Sequence, residues 1–572
     1  MPAEKPAGLR FTRPAWSGWW IVFLGTALFG LRLVGPADLT DNDQERPASY
    51  VLDAVQNGHW LIQRDAYDDI ASKPPLFTWL AGLATVCAGR ISRLTLYLPS
   101  AVGVVGMAWL AWAAGRAHFG SLAGLLAGLS LVLSQYGFKH VVLARNDALF
   151  AGAVSLAALA AWRAWTRGRG WTAFWLAAAA ATLAKGPLGL LLAAGGLLAA
   201  AWERGSARCP VCWKRLQPGA GLWLALVGGW FFLAWLEAGD DLIHKQLGRE
   251  LAGHLTGAEA GGKAPFSEPW LPLLYFLSRY APWSLAAGAG LWRVWRRPAE
   301  DVTERRFERF LFCWFAVGLV VFSIAPHKRP DLLLPVIPAA ALLAGRELAG
   351  WLRRWPAARV EQAAALGSAV VLAGLALGQP QGRATATEVL NTRAQRELAA
   401  WWEETGPPAV PLTFVEHTLT AQFYLNRHQA VVTPEQAARL LQGDAACALI
   451  TRDLAAVRRF MPADFEPVVL REAPAGAVPR AWLLANRAAT NHASGPVAVG
   501  VGPLQVRLEG ATLVRARRWD LELRRTGPAA RVHVVHDASG PVPVGVIWLD
   551  APERREARRR LAPGETWTLA AP

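Results

Sequence analysis

The chain has 572 residues, 53% of them hydrophobic and only 18% charged, with a formal net charge of +16. The apolar residues gather in uncharged runs long enough to cross a hydrocarbon core, which excludes a single soluble globular domain. The basic residues lie in short loops between those runs, so the positive charge reflects membrane topology and excludes nucleic acid as a partner.

The first apolar segment, 18–35, follows Lys5, Arg10 and Arg13, which places the N-terminus in the cytoplasm. It has a basic flank but no small-residue cleavage site, and it reads as a retained anchor. A polar stretch, 36–93, then carries Asp41, Asp43, Glu45, Arg46, Asp53, Asp65, Asp68, Asp69 and Lys73. Within it, 76–88 is apolar but short, and it reads as interfacial or re-entrant. Crossings follow at 94–114, 122–142 and 148–162, then two apolar runs around Lys185-Gly186-Pro187, then 221–236, 270–292, 310–324, 332–345 and 363–377.

The expected fold is an α-helical polytopic membrane protein with about eleven crossings and about 11–13 transmembrane helices in all. Alternate loops are rich in Arg, as with Arg163, Arg167 and Arg169, then Arg293, Arg296 and Arg297, then Arg346, Arg353, Arg354 and Arg359. An odd count with the N-terminus inside puts the C-terminus on the periplasmic side of a bacterial inner membrane. Cys209 and Cys212 form a CPVC in one basic loop and read as reduced thiols, since no second pair stands near them to complete a zinc site.

Beyond residue 380 the pattern changes. Residues 381–490 alternate amphipathic helices with short apolar strands and predict a soluble α/β domain. Residues 491–572 show two-residue alternation between Gly/Pro turns and predict a small β module resembling a sandwich. The expected organisation is thus a transmembrane domain over 1–380, with loop helices over 36–93, followed by these two exported parts.

Six polar motifs fall on the outward side of this topology. They are T-D-N-D-Q-E-R (Thr40 to Arg46), A-S-K-P-P-L (Ala71 to Leu76), A-R-N-D (Ala144 to Asp147), A-K-G-P (Ala184 to Pro187), H-K-Q-L-G-R (His244 to Arg249) and H-K-R-P-D (His327 to Asp331). Each has an ordinary explanation taken alone: a solvated helix start capped by Asp43, a snorkelling Lys73, a simple end to an apolar run. Together they put several cations and at least two carboxylates on one side of a membrane. That combination suits an anionic lipid phosphate opposite a general base.

The order and spacing of these motifs resemble the polyprenyl-phosphate-dependent glycosyltransferases of the GT-C membrane fold, within the aminoarabinose (lipid A) transferase and protein O-mannosyltransferase branch. D-Q-E-R (Asp43 to Arg46) followed by N-G-H-W (Asn57 to Trp60) is similar to the family's acidic pair, Arg and Gly-x-Trp. S-K-P-P-L stands for E-K-P-P-L, and Y-L-P-S-A (Tyr97 to Ala101) for R-L-P-S-A. A-K-G-P stands for T-K-G-P, and Ile324 to Ala339 for the late K-x-P…L-P-x-x-P-A element. The resemblance covers about residues 15 to 380 in collinear order and leaves the final β module outside it.

The resemblance implies transfer of a sugar from a polyprenyl-phosphate donor to a lipid, such as lipid A, or to another envelope acceptor, a glycan included, on the periplasmic face. Asp43 matches the catalytic carboxylate, and Asp147 is a second acidic group supporting the site. Lys73 and Arg249 match phosphate-contacting positions; Arg46, Arg145, Lys185, Lys328 and Arg329 are further substrate-binding candidates. The family's acidic residue before K-P-P is Ser72 here, and its histidine three residues before the Arg is Gln246. These two positions resemble a metal-binding pair in the aminoarabinose branch, so no metal is expected at them and the cofactor is left open. Competing readings are a protein O-mannosyltransferase-like enzyme, a flippase of lipid-linked sugars, for which repeated halves are missing, and a scaffold that binds cell-wall glycan.

Overall fold

Uncharged runs in hydrocarbon satisfy their backbone groups internally only as helices, and helices are what these runs form. The computed structural model describes residues 16–35, 39, 42–203, 211, 213–252, 267–382, 387–407, 410–474, 479–490, 496–537, 539–551 and 555–571. Among them, seven helices are long and apolar enough to cross a membrane: Trp16–Val34, Arg93–Phe119, Asn146–Arg167, Gln217–Ala238, Val302–Ile324, Pro330–Trp351 and Ala357–Leu377. Leu76–Ala88 is a helix of 13 residues, too short to span.

The other expected crossings are built from shorter pieces. The run 122–142 divides into Ser121–Val132 and Gln135–His140, because Ser134 caps a new helix by accepting the Gly137 N–H at 3.2 Å. The helix Trp171–Lys185 stops at Gly186, whose φ of +105° suits glycine, and Pro187 cannot continue the preceding hydrogen-bond ladder. The run 270–292 divides into Leu271–Arg279 and Trp283–Arg296. The segment expected at 332–345 begins as a 3-10 turn, Pro330–Val336, before the helix Ile337–Trp351. The CPVC cysteines, Cys209 and Cys212, lie outside the described residues.

The chain forms two compact units. The first comprises Met1–Gly35, Ser72–Leu80 and Tyr97–Gln379. Lipid offers little hydrophobic drive between helices, so their packing depends on close backbone approach at small residues. Gly103 provides it: a Cβ there would sit 2.3 Å from the Ala148 carbonyl oxygen. Arg293 and Arg346, from two loops predicted on the same side, meet at Glu308 with Nη2–Oε1 distances of 2.7 and 2.8 Å. Glu308 lies near the N-terminal end of Val302–Ile324, while Lys328 and Asp331 follow its C-terminal end. The two sets of polar groups thus stand at opposite ends of one long helix.

The second unit comprises Pro36–Ala71, Ala81–Leu96 and Pro380–Pro572. Its first sheet pairs Leu412–Phe414 parallel to Ala448–Thr451, with Pro479–Ala485 and Val468–Pro474 added antiparallel. Helices Thr387–Thr405 and Leu419–Tyr424 supply Leu398 and Ala421 to a core shared with Phe414, Ile450 and Leu483. The last part is two four-stranded sheets that enclose Val506, Leu521, Leu523, Val534, Val546 and Trp548. The α/β arrangement and the β-rich part predicted from periodicity are both present. The strand Leu504–Glu509 shows why: its residues alternate buried and half-buried along its length.

Both C-terminal parts grip the segment 56–68 within this unit. Val431 N–H donates to the Ala66 carbonyl at 2.9 Å, and His417 N–H to the Tyr67 hydroxyl at 2.9 Å. From the β module, the Arg515 guanidinium donates to the Gln56 carbonyl at 2.7 Å. Arg518 makes a two-pronged contact with Asp68, at 2.9 and 3.0 Å, where Asp68 holds a φ of +63°. A partly exposed ion pair contributes on the order of 1 kcal/mol even when bidentate. Arg518→Ala is therefore expected to leave the β module folded while amides 64–69 exchange roughly fivefold faster, a figure set by that 1 kcal/mol. Hydrogen exchange with mass spectrometry checks it, and unchanged protection across 64–69 would show that the guanidinium does not hold the loop.

Candidate functional site

The sequence-derived candidates divide between the two units. Asp43 and Arg46 belong to the second unit, on the helix Asn42–Asn57. Asp43 is exposed in the first turn, where a carboxylate complements the partial positive charge of the helix start. Glu45, the nearest substitute for the family's second acid, is buried and accepts a hydrogen bond from the Thr420 hydroxyl. It fastens the helix to the α/β part. Arg46 pairs with Asp65 at 3.3 Å and with Asp69 at 3.8 Å.

The end of this helix and the loop after it carry two acids, Asp53 and Asp65, in opposite electrostatic states. Burial pushes the Asp65 carboxyl up to about 6, only partly opposed by Arg46 and by the backbone N–H groups of Asp69 and Tyr67. Burial also acts on Asp53, but there it is outweighed. His59 Nδ1–H donates to Asp53 Oδ1 at 2.9 Å, His428 stands 3.8 Å away, and the Arg64 N–H donates to Oδ2 at 2.7 Å. These hold the Asp53 carboxyl below the usual carboxylate range. Asn57 Nδ2 bridges Asp53 Oδ1 at 2.7 Å and His428 Nδ1 at 3.0 Å. Burial lowers the pKa of His428 more than Asp53 raises it. His59, Arg64, Asp65, Asp68, His428 and Arg518 line a small cleft here. No motif flagged Asp53, His59 or His428 as a network, because Asp53 and His428 are separated by most of the chain.

In the first unit, the structure brings together three motifs that the sequence only lists. The Asp147 carboxylate from A-R-N-D receives the Lys185 ammonium from A-K-G-P, and Asn146 Nδ2 donates to the Ala184 carbonyl at 2.5 Å. Asp331 from H-K-R-P-D is buried and gathers cations. Lys139 Nζ lies 2.8 and 2.7 Å from its two oxygens, His140 Nε2 lies 3.3 Å from Oδ1, and Arg145 Nη1 lies 3.7 Å from Oδ2. Arg145, two positions before Asp147, joins the two groups. Lys139 and His140 are missing from the sequence-derived candidates. The signal for them is two ionisable residues inside an otherwise apolar run, where each is expensive unless partnered.

The remaining candidates are placed as follows. Lys328 caps the helix Val302–Ile324, donating to the Ser323 carbonyl at 3.0 Å and to that of Ala325. Arg329 is exposed at the start of the 3-10 turn. Lys73 is half-buried, and Gln246 Nε2 approaches its carbonyl oxygen at 3.5 Å. The Arg249 side chain lies outside the described residues. The segments that carry the two family metal positions therefore do meet in space. Ser72 and Gln246 are uncharged, so these two positions lack the carboxylate and the imidazole that the family places there. Among the described residues, no group of three or more His, Cys, Asp or Glu side chains could hold a metal ion.

The raised Asp65 gives a pH test with a definite sign. A carboxyl that ionises near 6 in the fold and near 3.8 unfolded weakens the fold as pH rises through that interval. About two pKa units correspond to roughly 3 kcal/mol. Wild type should therefore lose stability relative to Asp65→Asn between pH 4 and pH 6 and stay lower above it. Melting temperatures of the two proteins across that range measure the difference, and parallel curves would contradict the assignment.

Residues 72–235 match the family described as dolichyl-phosphate-mannose-protein mannosyltransferase. The undecaprenyl phosphate-alpha-4-amino-4-deoxy-L-arabinose arabinosyl transferase 1 of Sodalis glossinidius (strain morsitans) is 28% identical over 372 residues, 61% of this chain and 61% of that protein. The protein of the same description from Pseudomonas fluorescens (strain Pf0-1) is 24% identical over 341 residues, 54% of each chain. The chain thus spans less than two thirds of the length of these relatives. Crystalline ArnT from Cupriavidus metallidurans, bound to undecaprenyl phosphate, superposes with a TM-score of 0.65 at 17% identity, covering 83% of this chain and 99% of that one. Its apo form gives 0.63 at 17% identity over 83% and 98%. The chain is a multi-pass membrane protein that shares the fold of ArnT and is similar in sequence to aminoarabinose transferases over 61% of its length.

Proposed function

We propose that the protein is a membrane glycosyltransferase that moves a sugar from a polyprenyl-phosphate donor to a lipid or other envelope acceptor on the periplasmic face. The observation that carries this reading is the buried Asp331 cluster beside the Asp147–Lys185 pair, in a chain whose fold matches ArnT. The helical unit concentrates cations where an anionic lipid head group has to be recognised. The proposed orientation puts the N-terminus in the cytoplasm and the α/β and β parts in the periplasm, with the 1–380, 381–490 and 491–572 parts as the functional divisions.

In the proposed reaction, Asp43 accepts the proton of the acceptor hydroxyl as its oxygen bonds to the anomeric carbon. The bond from that carbon to the phosphate oxygen breaks, and its electron pair leaves with polyprenyl phosphate. Negative charge grows on the departing phosphate, so cations fixed beside it stabilise the transition state more than the ground state. Lys73 and Arg249 are assigned to that phosphate. Asp147, held by Lys185, supports the site, and Arg46, Arg145, Lys328 and Arg329 extend the positive surface. The family match over residues 72–235 favours, as a second reading, a protein hydroxyl as acceptor.

Replacing Asp43 by Asn removes the proton acceptor with almost no change of shape. General-base catalysis contributes about 10²–10⁴-fold, and transfer should fall by that factor while donor binding stays the same. Release of undecaprenyl phosphate by purified protein, read by mass spectrometry against membrane-extracted donor and acceptor lipids, makes the measurement. Normal release by the Asn variant would end the assignment of Asp43. Movement of labelled donor across vesicles without cleavage would replace the transferase reading with a flippase.

A further inference from the structure

A short basic turn separates two apolar helices. The helix Leu76–Ala88 ends just before it, and the membrane-crossing helix Arg93–Phe119 begins just after it. Leu83, Val86 and Leu94 flank the turn and are 56%, 55% and 53% exposed. Three large aliphatic side chains more than half exposed around one turn are costly in water and at home against acyl chains. The helix that follows has 27 residues and extends about 40 Å, which crosses a hydrocarbon core of about 30 Å and reaches the headgroup layer at its ends. Residues 89–92 thus lie where hydrocarbon gives way to water, the depth of phospholipid phosphates.

The α/β part brings positive charge to this turn. Arg90 Nη2 donates to the Tyr424 carbonyl at 3.3 Å, and the Ile91 N–H donates to Asn426 Oδ1 at 3.2 Å, so the segment 424–427 is fixed against the turn. The Arg396 guanidinium lies over the Tyr424 ring, 5.6 Å from its centroid, and Arg427 follows Asn426 directly. All three arginines are exposed. Against them stands Glu403, 4.0 Å from Arg90 and seven positions from Arg396 on one face of the helix Thr387–Thr405. Among the described residues, it is the one carboxylate that pairs with any of the three. A guanidinium stays charged at every pH a protein meets, so the surplus of positive charge needs no assumption about protonation. One stacked on an aromatic ring keeps its N–H groups around its rim, where a phosphate can meet them.

We propose that Arg90, Arg396 and Arg427 bind the phosphate of an anionic bilayer phospholipid. Leu83, Val86 and Leu94 face its acyl chains, and the arginines seat the α/β part on the headgroup layer. Exposed cations beside exposed apolar side chains match the two halves of such a lipid, and a zwitterionic lipid answers the charge less well. The proposal does not depend on the transferase reading, and none of these arginines is assigned to the reaction.

The test uses purified full-length protein in detergent, titrated with phosphatidylglycerol, with phosphatidylcholine or with lipid A, and reads bound lipid by native mass spectrometry. Each arginine at a lipid surface contributes about fivefold in binding, so Arg396→Gln and Arg427→Gln should each weaken phosphatidylglycerol binding by that factor and the double substitution by roughly 25-fold. Phosphatidylcholine binding should not change. Arg396→Lys keeps the charge and should stay within about twofold of wild type. Arg531→Gln removes an exposed arginine of the β module and should bind as wild type does. Unchanged phosphatidylglycerol binding in the double variant overturns the proposal. So does an equal loss for phosphatidylcholine, which would make the arginines structural, or an equal loss in Arg531→Gln, which would make the effect one of net charge. Loss confined to lipid A also overturns it and gives the surface to a different lipid. If Arg396→Gln does not fold, Arg427→Gln carries the same comparison.

Discussion

The helical unit is organised by the cost of placing charge in a low-dielectric interior. Asp331 is buried and Asp147 is partly so, and neither is left without a cation. The backbone yields to meet this requirement. Ser134 restarts a helix five residues before Lys139, Gly186 and Pro187 end one directly after Lys185, and a 3-10 turn opens at Pro330 beside Asp331. Broken helices are tolerated in membranes where protein or a polar cavity satisfies the freed groups. Here the freed carbonyl of Ala184 takes the Asn146 amide, and that of Pro330 takes the Tyr136 hydroxyl at 3.1 Å. Charge placement and helix interruption are one solution to one problem.

The second unit solves a different electrostatic problem in water. Asp53 and Asp65 lie twelve positions apart on one short segment, and both are nearly inaccessible. Their partners separate them: two imidazoles and a backbone N–H hold Asp53 ionised, while Asp65 has only a guanidinium at 3.3 Å and two backbone donors against its burial. The segment that carries both acids is held from outside by the α/β part through Val431 and His417 and by the β module through Arg515 and Arg518. The module lies outside the motif resemblance, yet it contacts a segment inside it. Its attachment is specific, since a guanidinium fork on a carboxylate fixes direction as well as distance.

Much of this architecture is legible in the sequence because its signals are local. Uncharged runs mark helices, two-residue alternation marks the strand Leu504–Glu509, and Gly186-Pro187 marks a break. The site is legible only in pieces. A-R-N-D, A-K-G-P and H-K-R-P-D each announce charge near a membrane boundary, but their pairing of Asp147 with Lys185 and of Asp331 with Arg145 spans 38 and 186 positions, and no periodicity reports that. Lys139 and His140 are hidden for a further reason. The reading of 122–142 as one continuous crossing treats them as its tail, whereas the Ser134 cap makes them the end of a separate short helix. Glu45, two positions from Asp43, is tied instead to the α/β part by the Thr420 hydroxyl, a contact 375 positions away that no local signal reports.

The two family positions that changed, Ser72 and Gln246, give the cation cluster its significance. Their segments still meet, as the 3.5 Å approach of Gln246 to the Lys73 carbonyl shows, so the backbone of that site is retained while its charge is not. On the transferase reading, a departing phosphate gains negative charge, and fixed positive charge has to come from somewhere close. An acid-to-Ser and a His-to-Gln change take a carboxylate and an imidazole from that pair of positions, and the unit carries an ammonium, an imidazole and a guanidinium around one carboxylate in H-K-R-P-D. A metal-free phosphate site built from side chains needs several cations, because each contributes a single charge, and it needs a carboxylate to keep them from repelling one another apart. Asp331 meets that second need: it sits inside the cluster as the counter-charge beside which Lys139, His140 and Arg145 stand together.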